Sequence, residues 1–180
     1  MSSYIITNSG VKFDFSNIAT NPVVLEDIAW SLSMTCRFGG HSKKFYSVAE
    51  HSCLVAERCK HYNLEGLMHD AAEAYIGDIV TPLKQHLSLD IEKGVERLIS
   101  KRFNLVYPWP EEVHEHDHVL LATEMVALFG KNHSDFDVDP RINIQCLSQK
   151  EAYNKFLETF DKFKVRKVKV DLGDFGKEKK

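Results

Sequence analysis

The residues best suited to chemistry stand together between Leu64 and Asp78. A histidine is followed directly by an aspartate, His69 and Asp70, and a glutamate follows three residues later, Glu73. The apolar residues of this segment recur with helical spacing. On a helical wheel of about 100° per residue they form one arc, and the three polar residues lie on the opposite arc. Because imidazole and carboxylate both bind divalent cations, His69 and Asp70 could grip one ion with Glu73 beside it.

This polar arc has two interpretations, a solvated helix face or a functional site. Two glycines on the same arc, Gly66 and Gly77, favour the site. A glycine inside a helix costs about 1 kcal/mol relative to alanine, which a solvated face has no reason to bear unless something approaches the backbone closely. Gly77 could instead be the C-terminal cap of the helix.

A cation held by one imidazole and one carboxylate needs further ligands. His51 is the best candidate, because it aligns with the apolar residues Val48 and Val55 on the inward face of a preceding helix. A lone inward histidine is more often a core residue with ordinary hydrogen-bond partners. The His-Asp pair on a neighbouring helix strengthens the interpretation of His51 as a ligand.

Asp117 is a candidate for the fourth ligand. It shares a helix face with Leu120, Leu121 and Leu128, so its carboxylate would be carried toward the core. A buried carboxylate is costly without a partner, and a metal ion would be one. The neighbouring histidines are equally available on spacing alone, and spacing leaves the choice open among Asp117, His114, His116 and His118.

The elements that would position these residues are mostly helices. Alternating apolar residues on both sides of Asn8-Ser9-Gly10 predict a small β-hairpin. Apolar residues with helical spacing then predict about six amphipathic helices, which makes the fold class all-α, a helical bundle with a minor β element. The predicted helices begin near Val23, run over about 47–60, 64–76, 91–103 and 110–129, and end with one that carries Tyr153 and Phe163.

Composition and charge restrict the class of protein. With 180 residues, 43% of them apolar, the chain is predicted to form one domain at residues 1–172 with a flexible tail at 173–180. Its 23 basic and 26 acidic residues give a formal charge of −3, so no general field draws it to nucleic acid or anionic lipid. We expect a cytoplasmic protein with four reduced cysteines, because no secretory signal, membrane span or C-x-x-C pair is visible.

Several stretches of the sequence resemble a known family. They are Cys36-Arg37-Phe38-Gly39-Gly40-His41, Phe45-Tyr46-Ser47-Val48-Ala49-Glu50-His51-Ser52, and His69-Asp70-Ala71-Ala72-Glu73-Ala74-Tyr75 followed by Gly77-Asp78 and Pro82-Leu83-Lys84. In this order they resemble the HD-domain phosphohydrolases. Within that family the chain is similar to the small nucleotidase branch, which includes YfbR-like and YfdR-like 5′-deoxynucleotidases and phage dATP triphosphohydrolases. The similarity extends from about residue 11 to residue 124.

The resemblance implies an HD-domain fold and a role for each site residue. The family order of His, His-Asp and Asp assigns the metal ligands His51, His69, Asp70 and Asp117. It assigns acid-base or water-positioning roles to Glu73 and Asp78, and phosphate contacts to Arg37 and Lys84. Each of these two cations could also be an ordinary surface charge. Phe38 could stack on a base or be a core aromatic residue.

The activity implied by the resemblance is metal-dependent hydrolysis at the 5′ α-phosphorus of a deoxynucleotide. We expect a deoxynucleoside triphosphate triphosphohydrolase, with dATP favoured. The alternatives are a 5′-deoxynucleotidase that acts on monophosphates and a catalytically silent nucleotide-binding regulatory module. Mixed imidazole and carboxylate ligands suit Co, Mn, Zn, Fe or Mg as the divalent cation.

A different class of function is nucleic-acid binding through a basic cluster near the C-terminus. The cluster follows an amphipathic helix and comprises Lys162, Lys164, Arg166, Lys167 and Lys169. A cluster of this kind is usually a solvated face, and the chain is net acidic. We therefore expect a small-molecule nucleotide as partner, with no nucleic acid and no membrane, and homo-oligomers by default.

Overall fold

The structure, a computed structural model, describes residues 3–84, 86–87 and 90–174, with side chains through residue 165. It is mostly helical with one small antiparallel sheet, which confirms the all-α expectation with a minor β element. Two short 3₁₀ segments occupy Phe15–Thr20 and Phe38–Gly40. The other elements are β1 (Tyr4–Ile6), β2 (Lys12–Asp14), α1 (Leu25–Met34), α2 (Val48–Arg58), α3 (Asn63–Met68), α4 (Glu73–Ile76), α5 (Thr81–Lys84), α6 (Asp90–Phe103), α7 (Glu111–Phe129) and α8 (Gln149–Asp174).

The predicted hairpin is present. Strands β1 and β2 pair with Ile5 opposite Phe13, and Gly10 takes a positive φ of 83° in the turn between them. Asp27 of α1 holds this turn, because its carboxylate accepts hydrogen bonds from the Thr7 hydroxyl at 2.7 Å and from the Ser9 amide at 2.7 Å. The hairpin is thereby fixed to the first helix of the bundle.

Helix α2 lies at the centre of the fold and packs against α1, α3, α7 and α8. Its first turn is capped by Ser47, whose hydroxyl accepts the amide of Glu50 at 3.1 Å. The Glu50 carboxylate reaches across to the chain before α8 and accepts the amides of Gln145, Cys146 and Leu147 at 2.8, 3.1 and 2.7 Å. These bonds tie α2 firmly to a distant part of the sequence.

The predicted helix over 64–76 is divided into two, α3 and α4. In the intervening residues the amides of Ala71 and Glu73 donate to the carbonyls of Met68 and Asp70, each at 3.0 Å. This is the i→i+3 pattern of a tighter 3₁₀-like winding. The continuous helix was therefore wrong at its centre, where His69 and Asp70 lie in the tight turns and Glu73 begins α4.

The two glycines of this segment have separate structural roles. A Cβ atom on Gly66 would lie 3.0 Å from the Cys59 sulfur and 3.2 Å from the Ala56 Cα, so the close approach predicted there is that of α2. Gly77 has a φ of 82° and donates its amide to the Glu73 carbonyl at 2.8 Å. It is the C-terminal cap that the sequence allowed.

Helix α7 begins after Pro110 and ends before Gly130, close to the predicted range of 110–129. The Glu112 carboxylate in its first turn accepts the amides of Lys60, His61 and Tyr62 at 2.8, 3.2 and 3.1 Å. Burial opposes ionisation of Glu112, but these three donors prevail and its pKa is lowered. They fix the start of α7 against the connection between α2 and α3.

The cysteines and the C-terminal residues bear on further expectations from the sequence. All four cysteines, which lie within the described ranges, are free, and Cys53 and Cys59 are buried. Among the described residues no helix is long and apolar enough to cross a bilayer. Helix α8 extends to Asp174, so the first two residues of the predicted tail at 173–180 are helical, and residues 175–180 lie outside the described residues.

Candidate metal centre

Three of the predicted ligands meet at one point. His51 comes from α2, and His69 and Asp70 come from the tight turns between α3 and α4. The His51 Nε2 lies 3.4 Å from the His69 Nε2 and 3.5 Å from Asp70 Oδ2, and the His69 Nε2 lies 3.3 Å from Asp70 Oδ1. One ligand atom from each residue lies within 4.8 Å of the others, so the group could hold a metal ion.

Asp117 of α7 lies close to the two imidazoles of this group. Its Oδ1 lies 3.1 Å from the His51 Nε2 and 3.9 Å from the His69 Nε2, and its side chain is 30% exposed. Of the histidines left open by spacing, His118 stacks on the Phe136 ring at 4.2 Å and His114 is exposed. The charges that act on the third, His116, are those of Arg58, Glu112, Glu115 and Lys60, and none of these belongs to the cluster. The geometry therefore favours Asp117 as the ligand from α7.

Hydrogen bonds on the far side of each imidazole ring point both Nε2 atoms to the centre. The His51 Nδ1 lies 2.6 Å from Glu124 Oε1, and the His69 Nδ1 lies 2.8 Å from the Gly66 carbonyl oxygen. A carbonyl and a carboxylate only accept hydrogen bonds, so each Nδ1 carries a proton. In the neutral rings Nε2 is left with its lone pair, as a metal ligand requires.

The carboxylates raise the proton affinity of both rings. Burial lowers the pKa of His69, but Asp70 and Asp117 outweigh it and raise this pKa to about 9. The pKa of His51 is also raised, since Glu124 and Asp117 outweigh burial and the charge of Arg37. Although burial opposes it, the imidazoles lower the pKa of Asp70 and of Asp117. A cation entering this cluster must therefore displace protons.

Glu124, which the sequence analysis did not single out, lies directly behind His51. It is fully buried, and its Oε1 accepts the Tyr46 hydroxyl at 2.7 Å as well as facing the His51 ring. Burial favours its neutral form, but Arg37 and His51 outweigh this and lower the pKa of Glu124. One signal was available, because Glu124 follows Asp117 by seven residues and shares its helix face.

Arg37, predicted to bind phosphate, pairs with two carboxylates of this cluster. Its NH1 lies 3.2 Å from Asp70 Oδ2 and its NH2 lies 3.3 Å from Glu124 Oε2, with 12% of the side chain exposed. Burial disfavours the charged form, but Glu124 and Asp70 raise the pKa of Arg37 well above its ordinary value. Its Nε is buried without a hydrogen-bond partner in the described part of the chain.

Glu73 lies beside the cluster in a poorly solvated position. Its side chain is 5% exposed, and its Oε2 has no hydrogen-bond partner among the described residues. Burial, followed by the charges of Asp70 and Asp78, raises the pKa of Glu73 to about 9. Burial also raises the pKa of Asp78, which is half-buried. Glu73 therefore keeps a proton near neutral pH.

Lys84 is paired with Glu73, and Phe38 follows Arg37 in sequence; we call these two residues the outer side of the site. The Lys84 Nζ lies 3.6 Å from Glu73 Oε1 and 2.6 Å from Glu92 Oε1, so it is already paired. Phe38 is half-buried with an unusual positive φ of 58°, and its ring packs edge-on against Phe129 at 5.3 Å. A positive φ at an aromatic residue is a strained conformation that often marks a functional segment.

Two residues of the basic cluster near the C-terminus have described side chains. Lys162 and Lys164 are exposed, with Nζ atoms over the rings of Phe163 at 4.9 Å and Phe160 at 5.8 Å. Lysines that cover aromatic residues in this way are typical of the solvated edge of an amphipathic helix. The side chains of the remaining members of the cluster lie outside the described residues, and nucleic-acid binding stays an untested alternative.

Comparison with known proteins finds similarity to two bacterial proteins. No family model matches it. The uncharacterized protein YfdR of Escherichia coli is 37% identical over 168 residues, which cover 88% of this chain and 94% of YfdR. An uncharacterized protein of Rhodobacter capsulatus is 31% identical over 146 residues, or 71% of this chain and 74% of that protein. The extent of the first match shows that the chain belongs to the same family as YfdR.

Proposed function

We propose that the protein is a metal-dependent phosphohydrolase that cleaves deoxynucleotides at the 5′ α-phosphorus. The favoured substrate is a deoxynucleoside triphosphate, dATP first, with deoxynucleoside and tripolyphosphate as products. The observation that carries the proposal is the group of His51, His69 and Asp70, which could hold a metal ion. Asp117 lies 3.1 Å from the His51 Nε2, and Glu73 is buried and holds a proton. A catalytically silent binding module has no need to keep all five groups together.

The residues present fit a divalent cation. Two imidazole Nε2 atoms and two carboxylates face one point, and each ring is already oriented by an acceptor behind its Nδ1. Mixed nitrogen and oxygen donors suit Co, Mn, Fe or Zn, and Mg is the hardest of the ions considered. A bound cation would polarise the phosphoryl group and activate water for attack on phosphorus.

Glu73 is proposed as the general acid. With its pKa raised to about 9, its carboxyl group holds a proton at neutral pH and can deliver it to the 5′ oxygen as that oxygen leaves. Asp78, whose pKa is also raised, supports the neutral form of Glu73 through its own charge. The acid-base chemistry and the metal ligands are thus kept in neighbouring but different environments.

Arg37 and Lys84 are proposed to contact the phosphate chain, and Phe38 the nucleoside. Both cations are already paired with carboxylates, Arg37 with Asp70 and Lys84 with Glu92. A phosphate must compete with these partners. This observation favours the second candidate function, a 5′-deoxynucleotidase, because a monophosphate presents less charge than a triphosphate and demands fewer uncommitted cations.

The test uses metal-stripped protein. It is incubated with each of Co, Mn, Zn, Fe and Mg and with matched mono- and triphosphates of all four deoxynucleosides, and the released phosphate species is identified. Tripolyphosphate from dATP is the expected product. Phosphate from monophosphates alone would select the second candidate. Nucleotide and metal binding without hydrolysis of any substrate would contradict an enzymatic function and favour the silent module.

A further inference from the structure

A buried polar group behind the metal centre links three elements. Glu124 on α7 is fully buried. Its Oε1 lies 2.6 Å from the His51 Nδ1 on α2 and 2.7 Å from the Tyr46 hydroxyl, and its Oε2 lies 3.3 Å from Arg37 NH2. None of these atoms is itself a proposed ligand atom, because His51 would bind the cation through its Nε2. The question is whether the group only fills the core or sets the geometry of the ligands.

The contact with His51 limits what that ring can do. A carboxylate oxygen offers only an acceptor, so the Nδ1 atom facing it at 2.6 Å must donate a proton. The same hydrogen bond fixes the rotation of the ring about its Cβ–Cγ bond. With the proton on Nδ1 and the ring rotation both fixed, the Nε2 atom faces Asp117 at 3.1 Å and Asp70 at 3.5 Å.

The second imidazole is oriented by a neutral group, which provides an internal contrast. The His69 Nδ1 faces the backbone carbonyl of Gly66 at 2.8 Å. An ionised acceptor makes a stronger hydrogen bond than a carbonyl and increases the electron density at the opposite ring nitrogen. His51 is thus the imidazole whose donor strength depends on a side chain that can be altered.

The pairing of Glu124 with Arg37 extends the same network to a second ligand. In the Arg37 guanidinium, NH2 lies 3.3 Å from Glu124 Oε2 and NH1 lies 3.2 Å from Asp70 Oδ2. Because the guanidinium is planar and rigid, an ion pair with the buried Glu124 carboxylate at one nitrogen restricts the position of the nitrogen that faces Asp70. Glu124 therefore influences His51 directly and Asp70 through Arg37.

We propose that Glu124 is a positioning residue of the metal centre: it holds His51 with Nε2 toward the cation and anchors Arg37 against Asp70. The inference rests on the metal centre of the proposed function, and it does not depend on the identity of the nucleotide. It requires that loss of the Glu124 charge weaken metal binding itself, in excess of any loss of stability.

The experiment compares E124Q with a matched control, E50Q. Glu50 is also a buried carboxylate and lies next to His51 in sequence, but it accepts three backbone amides, and none of them belongs to a proposed ligand. Metal-stripped full-length proteins are titrated with Co²⁺. Affinity and the visible absorption of bound Co²⁺ are recorded, and thermal unfolding without metal reports stability separately. E124D, which keeps the charge with a shorter side chain, serves as the second variant should E124Q not fold.

We expect E124Q to bind Co²⁺ about 10- to 100-fold more weakly than the parent with a changed absorption spectrum. E50Q should lose stability and retain the parent affinity and spectrum, and E124D should bind more tightly than E124Q. If the parent binds Co²⁺ but E124Q binds it equally well, Glu124 is only a core group and the inference fails. If the parent binds no Co²⁺, both the metal centre of the proposed function and the inference about Glu124 are contradicted.

Discussion

The side of the candidate site formed by α2, α3 and α7 differs from the side formed by the Phe38–Gly40 segment and α5 in how its side chains are held. On the first side, which we call the rigid side, His51 and His69 are buried, and each has a fixed acceptor behind its ring. On the second, the outer side, Phe38 has a strained backbone. Lys84, on a helix of four residues, is paired with Glu92.

This contrast suggests a division of labour. Metal ligands benefit from a geometry fixed before the ion arrives, because every degree of freedom lost on binding weakens affinity. The proposed phosphate contacts would have to exchange partners during turnover, so a replaceable carboxylate such as Glu92 suits them better. The following changes test whether the two sides act separately, from the largest expected effect to the smallest.

Removing one ligand from the rigid side should abolish metal binding. In His69→Ala the cluster loses one of its two imidazoles, and the Gly66 carbonyl loses its partner. We expect no measurable Co²⁺ binding and no hydrolysis, with the near-ultraviolet circular dichroism retained. The measurement is calorimetric titration of metal-stripped protein. Parent-like affinity in this variant would show that the ion binds elsewhere.

Replacing the proposed acid should stop chemistry and leave metal binding intact. Because the raised pKa of about 9 keeps Glu73 mostly protonated at neutral pH, the amide of Glu73→Gln resembles the native group and should fold normally. We expect kcat to fall by about 10²- to 10⁴-fold. Steady-state kinetics and Co²⁺ titration are measured together. An unchanged kcat would remove Glu73 from the mechanism.

Metal affinity should rise with pH. The pKa of His69 is raised to about 9, so near neutral pH this ring holds a proton that a cation must displace, and the raised pKa of His51 acts in the same direction. We expect the apparent affinity to increase about tenfold per pH unit for each proton displaced, and to level off above pH 9. Co²⁺ titrations in non-coordinating buffers check this. An affinity independent of pH would contradict the imidazole ligands.

Altering the outer side should change substrate binding more than chemistry. Lys84→Met keeps the apolar stem and removes the charge near Glu73 and Glu92. We expect KM to increase roughly tenfold, the cost of one charge-assisted hydrogen bond, with a smaller change in kcat and none in Co²⁺ affinity.

The matched variant Glu92→Gln removes the charge of the carboxylate that accepts from Lys84 at 2.6 Å and so weakens this pairing. It should lower KM or leave it unchanged. A loss of Co²⁺ affinity in either outer variant would show that the two sides are not separate.

Much of the rigid side could be predicted from the sequence. The alignment of His51 with Val48 and Val55 followed from apolar periodicity alone, as did the hairpin outside the site. The resemblance selected Asp117 where spacing had left its histidine neighbours open. Periodicity could not reveal the break between α3 and α4, because four residues of tighter winding hardly disturb a pattern read over a whole segment.

The partners of the charged residues could not be predicted. Arg37 was expected to meet phosphate, and the structure pairs it with Asp70 and Glu124. Glu50 forms the S-x-x-E spacing of a capping box with Ser47, yet its carboxylate binds amides near residue 146 instead. Such choices depend on which distant segment packs nearby, and local spacing carries no information about that.

The bare backbone at Gly66 has a consequence for the distance between the two imidazoles. With its Cβ position 3.0 Å from the Cys59 sulfur and 3.2 Å from the Ala56 Cα, any larger residue would push α3 away from α2. That displacement would carry His69 away from His51, although neither histidine had been changed. The absence of a side chain at Gly66 therefore helps to set the 3.4 Å distance between the two Nε2 atoms.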